Sequence, residues 1–158
     1  MKRRKLLFIY DISLNRSGGL EPLFISIDRK LSRRGFDLHY VVRYPVSESF
    51  RSSISDTSVL EVWSESMQGG RSFWRLLKLL HRLKPQGIVL LFFPIFAVNS
   101  LLLGLLHKTV FLDHDSSIGN ETSGIRRLVK RIRGFLVSRI FVYVVSPSNF
   151  KRKYNIER

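Results

Sequence analysis

Two adjacent glycines before a predicted helix mark the first segment of this sequence that could bind a ligand. Gly18 and Gly19 end a stretch that begins at Asn15, and apolar residues recur at helical spacing from Leu20 onward. Backbone N–H groups at a helix N-terminus, together with the helix dipole, favour a bound phosphate. Asn15, Gly18 and Gly19 are therefore candidate phosphate ligands. The glycine pair also fits an ordinary turn, because it lacks the G-x-G-x-x-G pattern of dinucleotide-binding loops.

A histidine between two aspartates is the second candidate. His114 lies between Asp113 and Asp115, directly after residues 108–112, which predict a buried strand. The neighbouring carboxylates favour the protonated imidazole. A side chain at the carboxyl end of such a strand faces the crevice of a parallel sheet rather than its core. His114 is therefore a candidate catalytic residue, with a structural histidine as the alternative.

The cysteine and histidine content predicts no metal site. The sequence has no cysteine, which excludes disulfides and thiolate ligands. The other histidines, His39, His81 and His107, have no ligand-like spacing. The segment 146–149, Ser-Pro-Ser-Asn, is most simply the cap of a final helix.

The elements that must position these residues alternate regularly between apolar strands and amphipathic helices. Strands are predicted at residues 6–10, 36–42, 59–63, 87–92, 108–112 and 140–145. Helices are predicted at residues 20–34, from 73 to 83, after Pro94 and at 125–137, whereas the serine-rich residues 45–58 predict a mobile connection. This alternation predicts one doubly wound α/β domain over residues 1–158, Rossmann-like, with a mainly parallel sheet flanked by helices.

Residues 88–106 carry no charge and offer a competing interpretation. Their length approaches the roughly 20 apolar residues that a transmembrane helix needs. Pro94 and the pair Asn99-Ser100 interrupt the run, which is rich in β-formers before Pro94 and in leucine after it. We therefore favour a buried strand followed by a core helix over a membrane span.

The chain is strongly basic, with 27 Lys and Arg against 12 Asp and Glu and a formal net charge of +15. Such a charge attracts phosphate-bearing partners, including nucleic acid, anionic membranes and phosphorylated small molecules. Cations cover the outer face of the predicted helix 125–137: Arg126, Arg127, Lys130, Arg131 and Arg133. This face fits an anionic membrane surface, and a solvated face is the alternative. We expect no nucleic acid partner, because the sequence has no nucleic-acid-binding motif.

The order of these motifs resembles the N-terminal domain of family-four glycosyltransferases. The shared features are a basic start, an apolar strand, the Gly18-Gly19 loop, a helix that closes in residues 31–39, and His114-Asp115 after a strand. The strand 142–145 followed by Ser-Pro-Ser-Asn-Phe is similar to that family as well. The resemblance implies GT-B architecture, in which two Rossmann-like domains face each other and the C-terminal one binds most of the sugar nucleotide. The 158 residues would then be the acceptor-side domain, without the donor-binding half.

The resemblance also implies roles for the candidate residues. Gly18 and Gly19 would approach the donor phosphates or the acceptor, and His114 would lie near the transferred sugar. Asp115 departs from the pattern, which more often has glycine there. The implied activity is retaining glycosyl transfer from a nucleotide sugar to a lipid-linked or saccharide acceptor.

The resemblance implies partners and a location too. We expect no tightly bound cofactor, with a nucleotide-sugar donor bound only when a C-terminal donor-binding domain or chain is present. The chain alone would be an inactive, truncated or split form. We expect it in the cytoplasm, peripherally on the inner face of the cell membrane. The alternatives are a non-catalytic membrane-surface or protein-binding module that uses the basic face, and a stand-alone phosphate binder that uses Gly18 and Gly19.

Overall fold

Apolar segments of the chain form a six-stranded sheet in which all neighbouring strands are parallel. The computed structural model describes residues 3–13, 20–43, 45–93, 97–112, 135 and 139–145. The strands are β1 (Arg4–Ser13), β2 (Phe36–Arg43), β3 (Val59–Trp63), β4 (Gly87–Leu91), β5 (Thr109–Leu112) and β6 (Tyr143–Val145). The helices are α1 (Leu20–Arg33), α2 (Glu48–Ser53), α3 (Gly70–Leu83) and α4 (Val98–Leu106).

The strand order is β3-β2-β1-β4-β5-β6, so the direction of winding reverses between β1 and β4. This order follows from right-handed crossovers that run outward from β1 on one side and from β4 on the other. The predicted doubly wound, Rossmann-like parallel sheet is confirmed. In such a sheet the crevice at the reversal point lies beyond the carboxyl ends of the strands, the edge called here the carboxyl edge.

Alternate residues of β1 belong to two separate cores, one on each face of the sheet. Leu7 and Ile9 pack in a cluster that includes Leu76 of α3 and Leu103 of α4. Phe8 and Tyr10 pack with Phe24 of α1 in the other cluster. Because successive side chains of a strand point to opposite faces, α1 covers one face while α3 and α4 cover the other.

The helix ends have local causes that the sequence indicates. Gly35, with φ of 82°, follows α1 in the left-handed conformation that glycine adopts without strain, as predicted. Lys84 ends α3 in the same region at φ 48°, just before Pro85, and its N–H donates to the carbonyl of Leu80 at 2.8 Å.

Two segments differ from their predicted form. Residues 45–58, expected to be a mobile connection, contain the short helix α2, because the Ser47 side chain accepts a hydrogen bond from Phe50 N–H and Phe50 is buried. The last strand is three residues long rather than six. Ile140 and Phe141, predicted to begin it, pack instead against Gly104 of α4.

The uncharged run 88–106 is divided between β4 and α4, as we expected. Among the described residues, no helix combines the length and the apolar character needed to cross a membrane.

Candidate functional site

Asp11 is a charged residue at the carboxyl edge of the sheet, at the end of β1 beside the reversal point. Asp11 is buried, and it lies on the same face of β1 as Leu7 and Ile9, the face covered by α3 and α4. Its Oδ1 accepts a hydrogen bond from Met67 N at 3.0 Å, and its Oδ2 accepts from Gln68 Nε2 at 2.8 Å and from Ser66 Oγ at 3.2 Å. The carboxylate therefore holds residues 66–68, which connect β3 to α3, against the end of β1.

The same connection is held from the other side by Asn99, a buried residue near the start of α4. Asn99 Nδ2 donates to the carbonyl oxygens of Met67 at 2.8 Å and Gly69 at 3.2 Å. Ser72, in the first turn of α3, donates to the carbonyl of Ser66 at 2.7 Å. These polar contacts join β1, α3 and α4 at the carboxyl edge of the sheet. We call residues 66–69 with Asp11 and Asn99 the rim.

The rim presents the N-terminus of α3 to open space. Gly69 is the N-cap and makes no side-chain hydrogen bond, and added Cβ atoms at Gly69 and Gly70 would meet nothing within 4 Å. The Asp11 oxygens already accept three hydrogen bonds, so this carboxylate is suited to positioning the loop rather than to proton transfer.

An aromatic cluster borders the reversal point on the opposite face of the sheet. Phe92, directly after β4, has a φ of 57°, an uncommon conformation for a residue other than glycine. Its ring lies edge-on to Tyr10 with centroids 5.2 Å apart, and Tyr10 makes a similar contact with Phe24 at 5.3 Å. The carboxyl ends of β1 and β4 therefore carry the polar rim on one face of the sheet and an aromatic cluster on the other.

The residues predicted from the sequence as ligands and catalyst lie outside the described residues. Asn15, Gly18 and Gly19 fall between the end of β1 at Ser13 and the start of α1 at Leu20. His114 follows β5, which ends at Leu112. The predicted membrane-facing cations are outside the described residues as well: Arg126, Arg127, Lys130, Arg131 and Arg133.

Sequence reasoning missed the rim. One signal was present, since Asp11 directly follows the apolar run of β1, where a carboxylate at a strand end marks the sheet edge. Nothing in the sequence indicates its partners Ser66, Met67 and Gln68, because they lie 55 to 57 positions further along the chain. In the part of the chain that the structure describes, no three His, Cys, Asp or Glu side chains cluster as a metal site.

A cavity of about 400 Å³ lies at the opposite, amino edge of the sheet. It is lined by Leu77, Leu80, His81, Lys84, Pro85 and His107, at the C-terminal ends of α3 and α4. Ligands of open parallel sheets bind at the carboxyl edge, so this cavity is separate from the candidate site.

Two solved structures share this fold over nearly all of the chain. A glycosyltransferase from Rickettsia africae ESF-5 is 14% identical, with a TM-score of 0.65, and the match covers 100% of this chain and 40% of that one. The UDP-GlcNAc 2-epimerase of Methanocaldococcus jannaschii is 16% identical, with a TM-score of 0.60, and the match covers 97% of this chain and 42% of that one. No family model and no curated protein match the sequence.

The chain therefore spans less than half the length of either structure. At this identity the likeness concerns the fold. The chain has the Rossmann-like α/β fold found in a glycosyltransferase and in a sugar-nucleotide epimerase, the fold class that the alternation of strands and helices predicted.

Proposed function

We propose that this chain is the acceptor-side domain of a retaining, nucleotide-sugar-dependent glycosyltransferase of GT-B architecture. The observation that carries the proposal is the full-length superposition, at a TM-score of 0.65, on 40% of a protein named as a glycosyltransferase. The second structure is named for an epimerase of UDP-GlcNAc, so both names refer to sugars and one to a sugar nucleotide.

The crevice at the β1–β4 reversal point would then be the acceptor site. Asn15, Gly18 and Gly19 follow β1 in the sequence, and they would contact the acceptor or the donor phosphates. His114 follows β5, the strand beside β4, and would lie near the transferred sugar. The rim built on Asp11 would hold one wall of the crevice in a fixed position. Rigid walls matter because transfer requires two substrates aligned to within a fraction of an ångström.

A second domain would supply the donor site. A further part of the same protein or a separate chain would bind the nucleotide sugar and close over the acceptor domain. The 158-residue domain alone would leave a nucleotide sugar exposed to water on one side, so we expect no transfer from it.

The test starts from the coding sequence that follows the codon of Arg158. We expect it to encode, in the same or a shifted frame, a second Rossmann-like domain. The two domains are produced together and supplied with a panel of nucleotide sugars and acceptors, and release of the nucleoside diphosphate is measured. Release that needs both domains supports the proposal. Turnover by the 158-residue domain alone, or none by the pair across the panel, would overturn it.

The role of His114 needs a matched control. His114→Ala in the two-domain protein should lower kcat by at least about 100-fold, the usual size of an acid–base contribution. His81→Ala is the control, because His81 is exposed at the amino edge beside the cavity. Equal activity of the two variants would show that His114 has no catalytic role. The domain assignment would still be tested by the first experiment.

A further inference from the structure

The strand β3 forms one edge of the sheet. In the strand order it stands outermost, and within the described part of the chain it pairs with β2 alone. One side of its backbone therefore carries N–H and C=O groups without a strand partner among those residues. Such an edge can accept a further strand from another molecule through main-chain hydrogen bonds. We call Val59–Trp63 with this open side the β3 edge.

The two faces of β3 differ in chemistry. Trp63 belongs to the core cluster under α3 and α4, so strand alternation places Glu61 and Val59 on that face as well. Leu60 and Val62 pack against the cluster under α1 on the opposite face, and both are half-buried. Val59 is 51% exposed. A strand added here would therefore have one face toward α3 and the other beside apolar side chains.

The helix α3 places a row of cations over this edge. The row consists of exposed residues on a helix that has no acidic residue: Arg71, Arg75, Lys78 and Arg82. At 100° per residue these positions fall within about 60° of one another around the helix, so they form one stripe. The Arg75 guanidinium lies 4.1 Å from the centroid of the Trp63 ring, and Arg82 donates to Glu61 Oε1 at 2.6 Å. These two contacts put the stripe on the flank of α3 toward β3.

The acidic group on this face of β3 is already paired. Glu61 Oε1 accepts from Arg82 and lies 3.2 Å from His39 Nε2. Lys78 lies between Arg75 and Arg82 in the stripe, and it makes no hydrogen bond or ion pair with another described residue. The α3 side of the β3 edge therefore carries an excess of positive charge.

We propose that the β3 edge binds an extended acidic segment of a partner protein by strand addition. Main-chain groups of the segment would pair with those of β3. Every second side chain would lie on the side of α3, where a glutamate or aspartate would contact Lys78 and its neighbours in the stripe. The side chains between them would lie beside Leu60 and Val62, where apolar residues fit. The partner segment therefore alternates acidic and apolar residues.

Charge argues against a second copy of this chain as the occupant. If β3 paired with β3 of another copy about a two-fold axis, the continuous sheet would carry both α3 helices on the same face. Their cationic stripes would then face each other, with no acid on either helix. An acidic strand satisfies the open backbone and the positive charge together. The proposal concerns β3 and α3 and is independent of glycosyl transfer.

A synthetic peptide tests the pattern of the partner. The probe is a short peptide that alternates glutamate and valine, blocked at both ends and labelled for fluorescence anisotropy. Its control has the same composition and charge, with the glutamates and the valines in separate blocks. We expect the alternating peptide to bind at least about tenfold more tightly, because only it presents every acid to α3. No binding of the alternating peptide, or equal binding of the two, would overturn the proposal.

Backbone methylation separates strand addition from simple charge attraction. In a paired strand the N–H groups of alternate residues point to the same side. One peptide is methylated at the glutamate nitrogens and a second at the valine nitrogens, so each loses the donors of one side. One of them should bind at least about tenfold more weakly than the unmethylated peptide, and the other within about threefold. Equal affinities of the two methylated peptides would contradict strand addition.

A charge reversal tests the stripe. Lys78→Glu should weaken binding of the alternating peptide by at least about fivefold, because it replaces an attraction with a repulsion. Lys108→Glu is the matched control: Lys108 is exposed and precedes β5, which three strands separate from β3. At about 19 Å from the edge its charge is screened, and we expect less than about a twofold loss.

Two results with these variants would overturn the proposal. Equal losses in Lys78→Glu and Lys108→Glu would show that the peptide responds to total charge and not to the β3 edge. A dimer in light scattering that Lys78→Glu strengthens would identify a second copy as the occupant. Circular dichroism of both variants checks that the fold is retained.

Discussion

Asp11 accepts a hydrogen bond from the backbone N–H of Met67 at 3.0 Å, across 56 residues of sequence. The contact joins the end of β1 to the connection that begins α3, at the point where the winding of the sheet reverses. Both residues are buried, and Asp11 is the hydrogen-bond acceptor of the Met67 N–H.

Replacing Asp11 with alanine should therefore destabilise the protein and loosen the rim. The substitution leaves the buried Met67 N–H without its acceptor, which costs about 2–3 kcal/mol of unfolding free energy. Urea denaturation measures the loss, and hydrogen exchange should show faster exchange at Met67 than at the amides of β2. Asp37→Ala is the control, because Asp37 is partly exposed and its ion pair with Arg3 should contribute under about 1 kcal/mol. Equal losses for the two variants would contradict the role of the rim.

The pair of buried His39 and half-buried Glu61 should make stability depend on pH. Burial lowers the pKa of His39 from its usual 6.5, although the Glu61 carboxylate, with Oε1 3.2 Å from His39 Nε2, acts in the raising direction. Burial also acts to raise the pKa of Glu61, but the Trp63 hydrogen bond and the charges of His39 and Arg82 outweigh it and lower that pKa below 4.5.

Both pKa shifts change the unfolding free energy in the same direction as pH falls. The unfolded chain takes up protons at a higher pH than the folded protein, so folding is favoured above the unfolded pKa values. The unfolding free energy should fall as pH drops below about 6.5 through the titration of His39, and again below about 4.5 through that of Glu61. Urea titrations from pH 8 to about pH 3 measure both slopes. His39→Gln should flatten the upper part of the curve, and an unchanged slope in that variant would contradict the assignment to His39.

Gly104 should tolerate no side chain. A Cβ at this position would lie 2.5 Å from Ile140 Cγ2 and 2.9 Å from Phe141 Cε1. Gly104→Ala should therefore lower the unfolding free energy by about 1–3 kcal/mol through overpacking. Gly70→Ala is the matched control, since a Cβ there meets nothing within 4 Å and alanine favours a helix. Thermal unfolding compares the two, and a Gly104→Ala protein as stable as the control would show that residues 140–141 do not pack on α4.

Asp28 of α1 is fully buried, and we expect it to contribute to the unfolding free energy as Asp11 does. It accepts hydrogen bonds from Ser58 Oγ at 2.6 Å, Ser55 N at 2.7 Å and Tyr40 Oη at 3.2 Å. Burial, together with the Asp28 charge, raises the pKa of Tyr40 above its ordinary value. Asp28→Ala should cost about 2–4 kcal/mol of unfolding free energy and Tyr40→Phe only about 1 kcal/mol, because the second change leaves the carboxylate with two donors. A larger loss in Tyr40→Phe would contradict this order.

The elements of the fold follow from the sequence. Apolar runs and helical periodicity predict all six strands and the helices α1, α3 and α4 within a few residues. This is possible because the spacing of apolar residues along a segment determines which of its faces is buried. The same pattern predicts a doubly wound sheet. Glycine at 35 predicts the end of α1. Asn15, Gly18, Gly19 and His114 remain predictions from motif and chain order, since they lie outside the described residues.

Tertiary structure alone decided which distant residues meet. The strand order placed β1 beside β4, and that placement brought Asp11 to Met67 and Asn99 to Gly69. Periodicity is a local property of the chain, whereas a contact between residues 30 or 56 positions apart exists only after the sheet has set the distance between them.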